Sequence, residues 1–300
     1  MKTVQLTAFP NTFTAYPNVL KHIALAQFNK AKRKNKAKND TPTLPQLCYQ
    51  VNDFTVDIRH LGTYLRLCQF NRDDQIPAIY FLVLAQRLQM QMMCADDFPF
   101  EMLGLVHIRN HIQQLRPTNP HERFRLSCQF GDIQPHDKGV QFEFVTQVFV
   151  DDELVITGKS VYLSRQKKAS ESTTNSQAPS ATSTSDQPDE IIKDSWYLDE
   201  GLGRRYALNS GDFNFIHLHA QTAKLFGFKR AIAHGMWSNA RALASLNLPT
   251  AYECDVQFKL PIFLPSSVEL LTAQHGEKLD VLLRARDSHK PHMTMSLQAI

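Results

Sequence analysis

An acid and an imidazole lie five positions apart in the stretch Ser210-Gly211-Asp212-Phe213-Asn214-Phe215-Ile216-His217. Asp and His are the side chains best suited to hold and activate a water near neutral pH. On one continuous helix, five residues would turn them about 140° apart, so the two groups would face different ways. Asn214 offers a better solution. It is a favoured N-cap, so a helix that begins at Phe215 and runs to about Phe226, with Gly227 just past its end, puts His217 in the first turn. Asp212 then precedes the cap and folds back beside the ring, with Gly211 supplying the backbone freedom for that turn.

The second chemical feature is His234-Gly235-Met236, whose glycine lies eighteen residues beyond His217. Gly235 opens a predicted helix, where the first backbone N–H groups lack partners inside the helix. Such donors can receive a developing oxyanion, and a glycine there lets a carbonyl approach the main chain closely. The expected site is therefore Asp212 and His217 as the reacting pair and Gly235 as the oxyanion donor. Asn214, Gly211 and His234 support them.

Two other chemistries fit less well. A hydrolase triad of Ser210, Asp212 and His217 would draw all its members from one turn, and the chain has no Gly-x-Ser-x-Gly elbow. Metal ligation by His217, His219 and His234 lacks a clear third-ligand pattern, and His219 reads better as a surface or helix-start residue.

The elements that must position these groups are legible around them. From Ala169 to Pro188 half the residues are Ser or Thr, and no Leu, Ile, Val, Phe, Tyr or Trp occurs. That composition cannot offset its ordering entropy by burial, so 166–190 reads as a flexible linker. It separates a first unit over 46–165, preceded by a basic segment over 1–45, from a second unit over 191–300. The first unit has a long apolar helix candidate (Ile76 to Met93). Alternating runs follow at Leu103 to Ile108, Arg123 to Leu126, Val140 to Val145 and Val155 to Leu163. The second has a helix candidate from Met236 to Leu246, then runs at Asp255 to Leu260, Val268 to Thr272, Leu279 to Ala285 and Met293 to Leu297. Alternation of this kind is the two-residue period of half-buried strands. The segments Val106 to Arg109 and Val256 to Lys259 echo one another. Each half then reads as one buried helix wrapped by an antiparallel sheet, an α+β plan.

Composition narrows the function. Of 300 residues, 43% are hydrophobic and 21% charged, as in ordinary globular proteins, and the net charge is only +4. The basic excess is local, from Lys21 to Lys38, and lacks the interleaved aromatics of a single-strand binder, so no nucleic-acid partner is expected. Five scattered cysteines form no Cys-x-x-Cys pair, which fits free thiols in a reducing compartment. The segment Met1 to Leu6 has no sustained apolar run of the kind a secretory signal carries. The window Ile76 to Met93 is interrupted by Gln86, Arg87, Gln89 and Gln91, so no membrane span is expected there. Cytoplasm is the expected compartment.

The motif residues resemble the MaoC-like, or (R)-specific enoyl-CoA hydratase, family. Its pattern is an aromatic, a short gap, Ser-Gly-Asp-x-Asn-Pro-aliphatic-His, and a small residue six positions after the His. Tyr206, Ser210, Gly211, Asp212, Asn214, Ile216, His217 and Ala223 match, as does the downstream block Ala231 to Met236. Phe215 stands in place of the usual Pro, and Asn209 in place of a small or aliphatic residue. Pro at a first helical position only presets φ, so Phe215 loosens the turn without removing a reacting group.

The resemblance implies a double hot-dog fold, two antiparallel sheets each wrapped around a central helix to form one pseudo-dimer. It implies a hydro-lyase in fatty-acid metabolism that reversibly hydrates trans-2-enoyl thioesters to (R)-3-hydroxyacyl thioesters. Asp212 and His217 would hold the water and the Gly235 N–H would stabilise the thioester oxygen. No cofactor is implied beyond the thioester carrier, coenzyme A (CoA) or acyl carrier protein (ACP), and the assembly it implies is a homodimer of such chains. The first unit has no counterpart of the motif. It reads as a degenerate hot-dog unit that widens the acyl pocket, and Ile79, Leu82, Val83 and Leu88 either line that space or pack one half on the other. The alternative is a non-catalytic acyl-thioester-binding or assembly protein.

Overall fold

The most apolar window of the chain becomes the central helix of the first half. In the computed structural model, which describes residues 1–10, 42–71, 75–102, 104–165 and 190–300, helix α1 covers Ile58–Cys68 and helix α2 covers Ala78–Met92. The basic run from Lys21 to Lys38 and the Ser/Thr-rich stretch from Ala169 to Pro188 lie outside the described residues. Ile79, Phe81, Leu82, Val83 and Leu88 of α2 are all buried. Each such side chain contributes roughly 1.5–3 kcal/mol by leaving water. Helix α1 was not expected from the sequence, although its signals are present. Asp57 accepts hydrogen bonds from the Arg59 and His60 N–H groups, and Leu61, Tyr64, Leu65 and Cys68 recur at helical spacing and are buried.

The first half builds β1 (Lys2–Leu6), β2 (Leu47–Phe54), β3 (Leu105–Gln114), β4 (Phe124–His136), β5 (Gly139–Val150) and β6 (Glu153–Arg165). In the second half, β7 (Ile191–Leu198) leads into α3 (Leu202–Ser210), α4 (Phe215–Leu218), α5 (Ala220–Lys224) and α6 (Gly235–Ala244). Strands β8 (Tyr252–Phe258), β9 (Ser266–His275), β10 (Lys278–Ala285) and β11 (Pro291–Ala299) follow. All eight strand runs expected from alternation fall within or overlap these strands. Strands β1, β2 and β7 were not singled out. Strand β1 pairs in parallel with β2, so the basic N-terminal segment contributes an edge strand to the first unit.

All eleven strands form one sheet in the order β1-β2-β4-β5-β6-β3-β8-β11-β10-β9-β7. Read outward from the centre, β3-β6-β5-β4-β2 repeats as β8-β11-β10-β9-β7, strand for strand. The duplication suspected from one short echo is therefore a duplication of topology. The echoing segments lie in the equivalent strands β3 and β8, which pair antiparallel with Ile112 opposite Cys254 and so weld the two halves.

A buried polar chain sets how the halves meet. The Asn239 amide of α6 donates to Asn110 Oδ1 at 3.3 Å, and Asn110 donates to the Lys159 carbonyl at 3.1 Å and to Ser160 Oγ at 3.3 Å. Tyr162 Oη donates to Gln89 Oε1 of α2 at 3.0 Å. Trp237 Nε1 of α6 donates to the Leu67 carbonyl of α1 at 3.1 Å. Such a network discriminates against other packings of two apolar faces, because a slip would strand its members without partners.

The helix expected over 215–226 is two short ones. Arg204 donates to the Leu218 carbonyl at 3.0 Å and Thr222 Oγ1 to the Phe215 carbonyl at 2.7 Å, which diverts acceptors from the helical ladder. His219 takes an extended conformation (φ −153°, ψ 150°), and its ring accepts from the Gln221 N–H to start α5.

Candidate functional site

The turn that carries Asp212 is held at both ends. Ser210 Oγ donates to the Tyr206 carbonyl at 2.9 Å and accepts the Asp212 N–H at 3.2 Å. Gly211 has φ +84°, the left-handed conformation that ends α3 and throws the chain back. Asn214 caps α4 as expected, accepting the Ile216 N–H at 3.4 Å, while its own N–H donates to Asp212 Oδ1 at 3.2 Å. His217 lies in α4 and is buried.

The rings of His217 and His234 have defined tautomers, because a carbonyl can only accept. His217 Nδ1 donates to the Ile232 carbonyl at 2.8 Å, which leaves Nε2 as a free lone pair. His234 Nε2 donates to the Asp212 carbonyl at 3.0 Å, and its Nδ1 is buried without a partner among the described residues. The two rings stack with centroids 3.7 Å apart, and Tyr206 closes over His234 at 4.9 Å. The structure thus brings Asp212, His217 and His234 together, with one donor atom of each within 4.8 Å of the others. A metal ion would need the two imidazole lone pairs to converge. They lie in the planes of rings stacked 3.7 Å apart and inclined by only 26°, which do not share a point within bonding distance of both nitrogens. His219 is exposed and acts as the cap of α5, outside the cluster.

Burial pushes the Asp212 carboxyl up, but the His234 and His217 rings, the Asn214 N–H and the Gln86 amide together outweigh it and hold it below its ordinary value. Burial holds His217 below its usual value against the pull of Asp212. Burial and the neighbouring His217 bring His234 down to about 3. Near neutral pH the site therefore holds one carboxylate and two uncharged imidazoles.

These groups open into a cavity of about 510 Å³ between the two halves. Leu105, Val106 and Tyr162 come from the first half, and Met236, Phe258 and Ile262 from the second. Gly235 lines it at the start of α6, and no side chain caps that helix end. A Cβ on Gly235 would sit 3.0 Å from the Phe258 ring, so any other residue would intrude between that ring and the helix. His107 stacks on Tyr162 with centroids 4.7 Å apart, and burial lowers it to about 4.

Of the two readings of α2, the apolar residues take the packing one. Ile79, Leu82, Val83 and Leu88 do not line the cavity. They belong to the core, where Leu82 fills the space over Gly158 of β6. The cavity meets α2 at Gln86 instead. Gln86 Nε2 donates to Asp212 Oδ2 at 2.9 Å, and Arg87 donates to the Asn209 carbonyl at 2.9 Å. Neither residue was assigned to the site from the sequence. The available signal was the polar interruption of an otherwise apolar helix.

A central helix against an antiparallel sheet, duplicated in one chain and welded through equivalent strands, defines a double hot-dog protein. Residues 191–281 match the family described as MaoC like domain. It is 28% identical over 262 residues to 3-hydroxyacyl-thioester dehydratase X of Mycobacterium tuberculosis, which spans 87% of this chain and 92% of that protein. The crystal structure of that dehydratase, HtdX, superposes with a TM-score of 0.72 at 27% identity, covering 84% of this chain and 100% of the other. A MaoC-like dehydratase from Phytophthora capsici superposes at 0.64 with 18% identity, covering 88% and 99%. A further Mycobacterium tuberculosis protein described as a double hot-dog fold superposes at 0.53 with 10% identity, covering 86% and 96%.

Proposed function

We propose that this protein is a hydro-lyase that interconverts trans-2-enoyl and (R)-3-hydroxyacyl thioesters of fatty-acid metabolism, carried on CoA or ACP. The observation that supports it best is the pairing of an ionised Asp212 with the free Nε2 of a neutral His217 on the wall of a cavity large enough for an acyl thioester. The two acceptors hold one water, whose oxygen adds to C3 of the enoyl group. The proton released returns to C2, so the C2=C3 double bond becomes one C–O and one C–H bond. The Gly235 N–H receives the enolate-like thioester oxygen that forms between these events. Loss of one such donor typically costs about 2.7–4 kcal/mol of transition-state stabilisation. Dehydration runs through the same groups in reverse. The relationship to a 3-hydroxyacyl-thioester dehydratase supports the substrate class, and all five cysteines being free fits a reducing, cytoplasmic setting. The proposed assembly is a homodimer, which light scattering on the purified chain would read.

Turnover of crotonyl-CoA and of longer enoyl-CoA and enoyl-ACP thioesters tests the reading, followed as loss of enoyl absorbance with chiral analysis of the product. Wild type should convert at least one of them to the (R) alcohol, and Asp212→Asn and His217→Ala should each lose most of that activity. Tight acyl-thioester binding without conversion would favour a binding protein, and wild-type rates in both variants would remove the assigned pair.

A further inference from the structure

We propose that the first half, which lacks the Asp/His motif, supplies a positioning residue for the reaction: Gln86, which holds the carboxylate of Asp212 across the interface between the halves. The proposal rests on the functional reading above and assigns the first half a role beyond lining the acyl cavity.

The geometry has three parts. Gln86 Nε2 lies 2.9 Å from Asp212 Oδ2, and the amide orientation follows from chemistry, since only the nitrogen can donate to a carboxylate. The other carboxylate oxygen takes the Asn214 N–H, so one oxygen is fixed from each half of the molecule. Next along α2, Arg87 donates to the Asn209 carbonyl at 2.9 Å and reaches the Ser210 carbonyl at 3.5 Å. Adjacent residues of one helix thus grip both the backbone leading to Asp212 and its side chain. Placing an amide there carries a cost. Gln86 Oε1 is buried with no partner among the described residues, so a residue chosen for packing alone would be apolar. The one side-chain hydrogen bond it makes among the described residues goes to the acid.

A donor on Oδ2 favours the ionised form of Asp212, which lines the cavity. Other titratable groups that face or influence the carboxyl are His217 of α4, His234 at the start of α6, His107 of β3, Tyr162 of β6 and Tyr206 of α3. Among them Gln86 is a neutral donor that does not titrate, so its effect is constant across the working pH range.

The test compares wild type with Gln86→Met and Gln86→Glu in the full chain. A hydrogen bond to a charged group of this strength predicts a fall in kcat of about 10- to 100-fold in Gln86→Met, with KM little changed. The acidic limb of kcat/KM should move up by about one to two pH units. Gln86→Glu restores a donor only when its own carboxyl is protonated, so its rate relative to Gln86→Met should rise as pH falls. A role in packing alone would lower the melting temperature without moving the limb. An unmoved limb in both variants overturns the proposal, and if Gln86→Met does not fold, Gln86→Glu decides alone. Should wild type turn over no enoyl thioester, the functional reading fails separately. Titration of the Asp212 carboxyl carbon by NMR, assigned with Asp212→Asn, then decides, and equal values in wild type and the Gln86 variants overturn the proposal.

Discussion

Gly203 lies so close to His217 that a Cβ at position 203 would come within 2.0 Å of the His217 carbonyl oxygen. Helix α3 therefore seats on α4 through bare backbone, and the imidazole takes its position from that contact. Gly203→Ala is expected to lower stability by about 1–3 kcal/mol through overpacking. It should also cut turnover about 100-fold, the usual penalty for displacing a reacting group by about an ångström. Thermal unfolding and steady-state rates would check both, and an unchanged rate would show that the contact does not position the ring.

Asn214 joins the two members of the proposed pair. Its side chain caps the helix that carries His217, and its N–H binds Asp212. Asn214→Ala removes only the cap, with an expected loss of about 0.5–2 kcal/mol. Asn214→Asp keeps the cap but places a second negative charge beside Asp212, so it should preserve the melting temperature near neutral pH while raising the acidic limb of the rate profile. The two variants thus separate stability from chemistry, and identical behaviour would refute the separation.

Stability should fall on the acid side for a reason seated in the site. His234 is held neutral down to about 3, against an ordinary value of 6.5. The unfolded chain therefore takes up a proton that the folded chain refuses, and stability declines as pH falls from about 6.5 towards about 3. The lowered carboxyl of Asp212 acts in the same direction, since its contribution is present above the ordinary carboxylate value and lost as pH falls through the folded one. Melting temperatures across this range should slope downward towards acid. His234→Gln should flatten the slope even if it lowers stability at neutral pH, and an unchanged slope would contradict a neutral buried His234.

Much of the fold was legible because its signals are local. The alternation in Val140 to Val145 or Leu279 to Ala285 reports a strand with one buried face, and β5 and β10 form there. Asn214 and Gly235 mark helix starts by chemistry that acts within one turn, and both stand where expected. Helix α3 was missed because it is short and its first turn holds Gly203, Arg204 and Arg205. Asp199 instead stabilises its start, accepting the Gly201 N–H at 2.8 Å and pairing with Arg205. The break at His219 was missed because Arg204 and Thr222 reach the relevant carbonyls only after the chain has turned.

The sequence by itself determined the two-unit plan, eight of the eleven strands with the central helix of each half, and the meeting of Asp212 with His217, since all of these rest on residues near one another in the chain. Only the tertiary structure decided that Gln86, 126 positions before Asp212, touches its carboxylate, that His234 stacks on His217, and that the apolar face of α2 fills the core and not the cavity. Those outcomes depend on how the two halves of the sheet join at β3 and β8. Spacing along one strand or helix carries no information about the rotation of one half against the other.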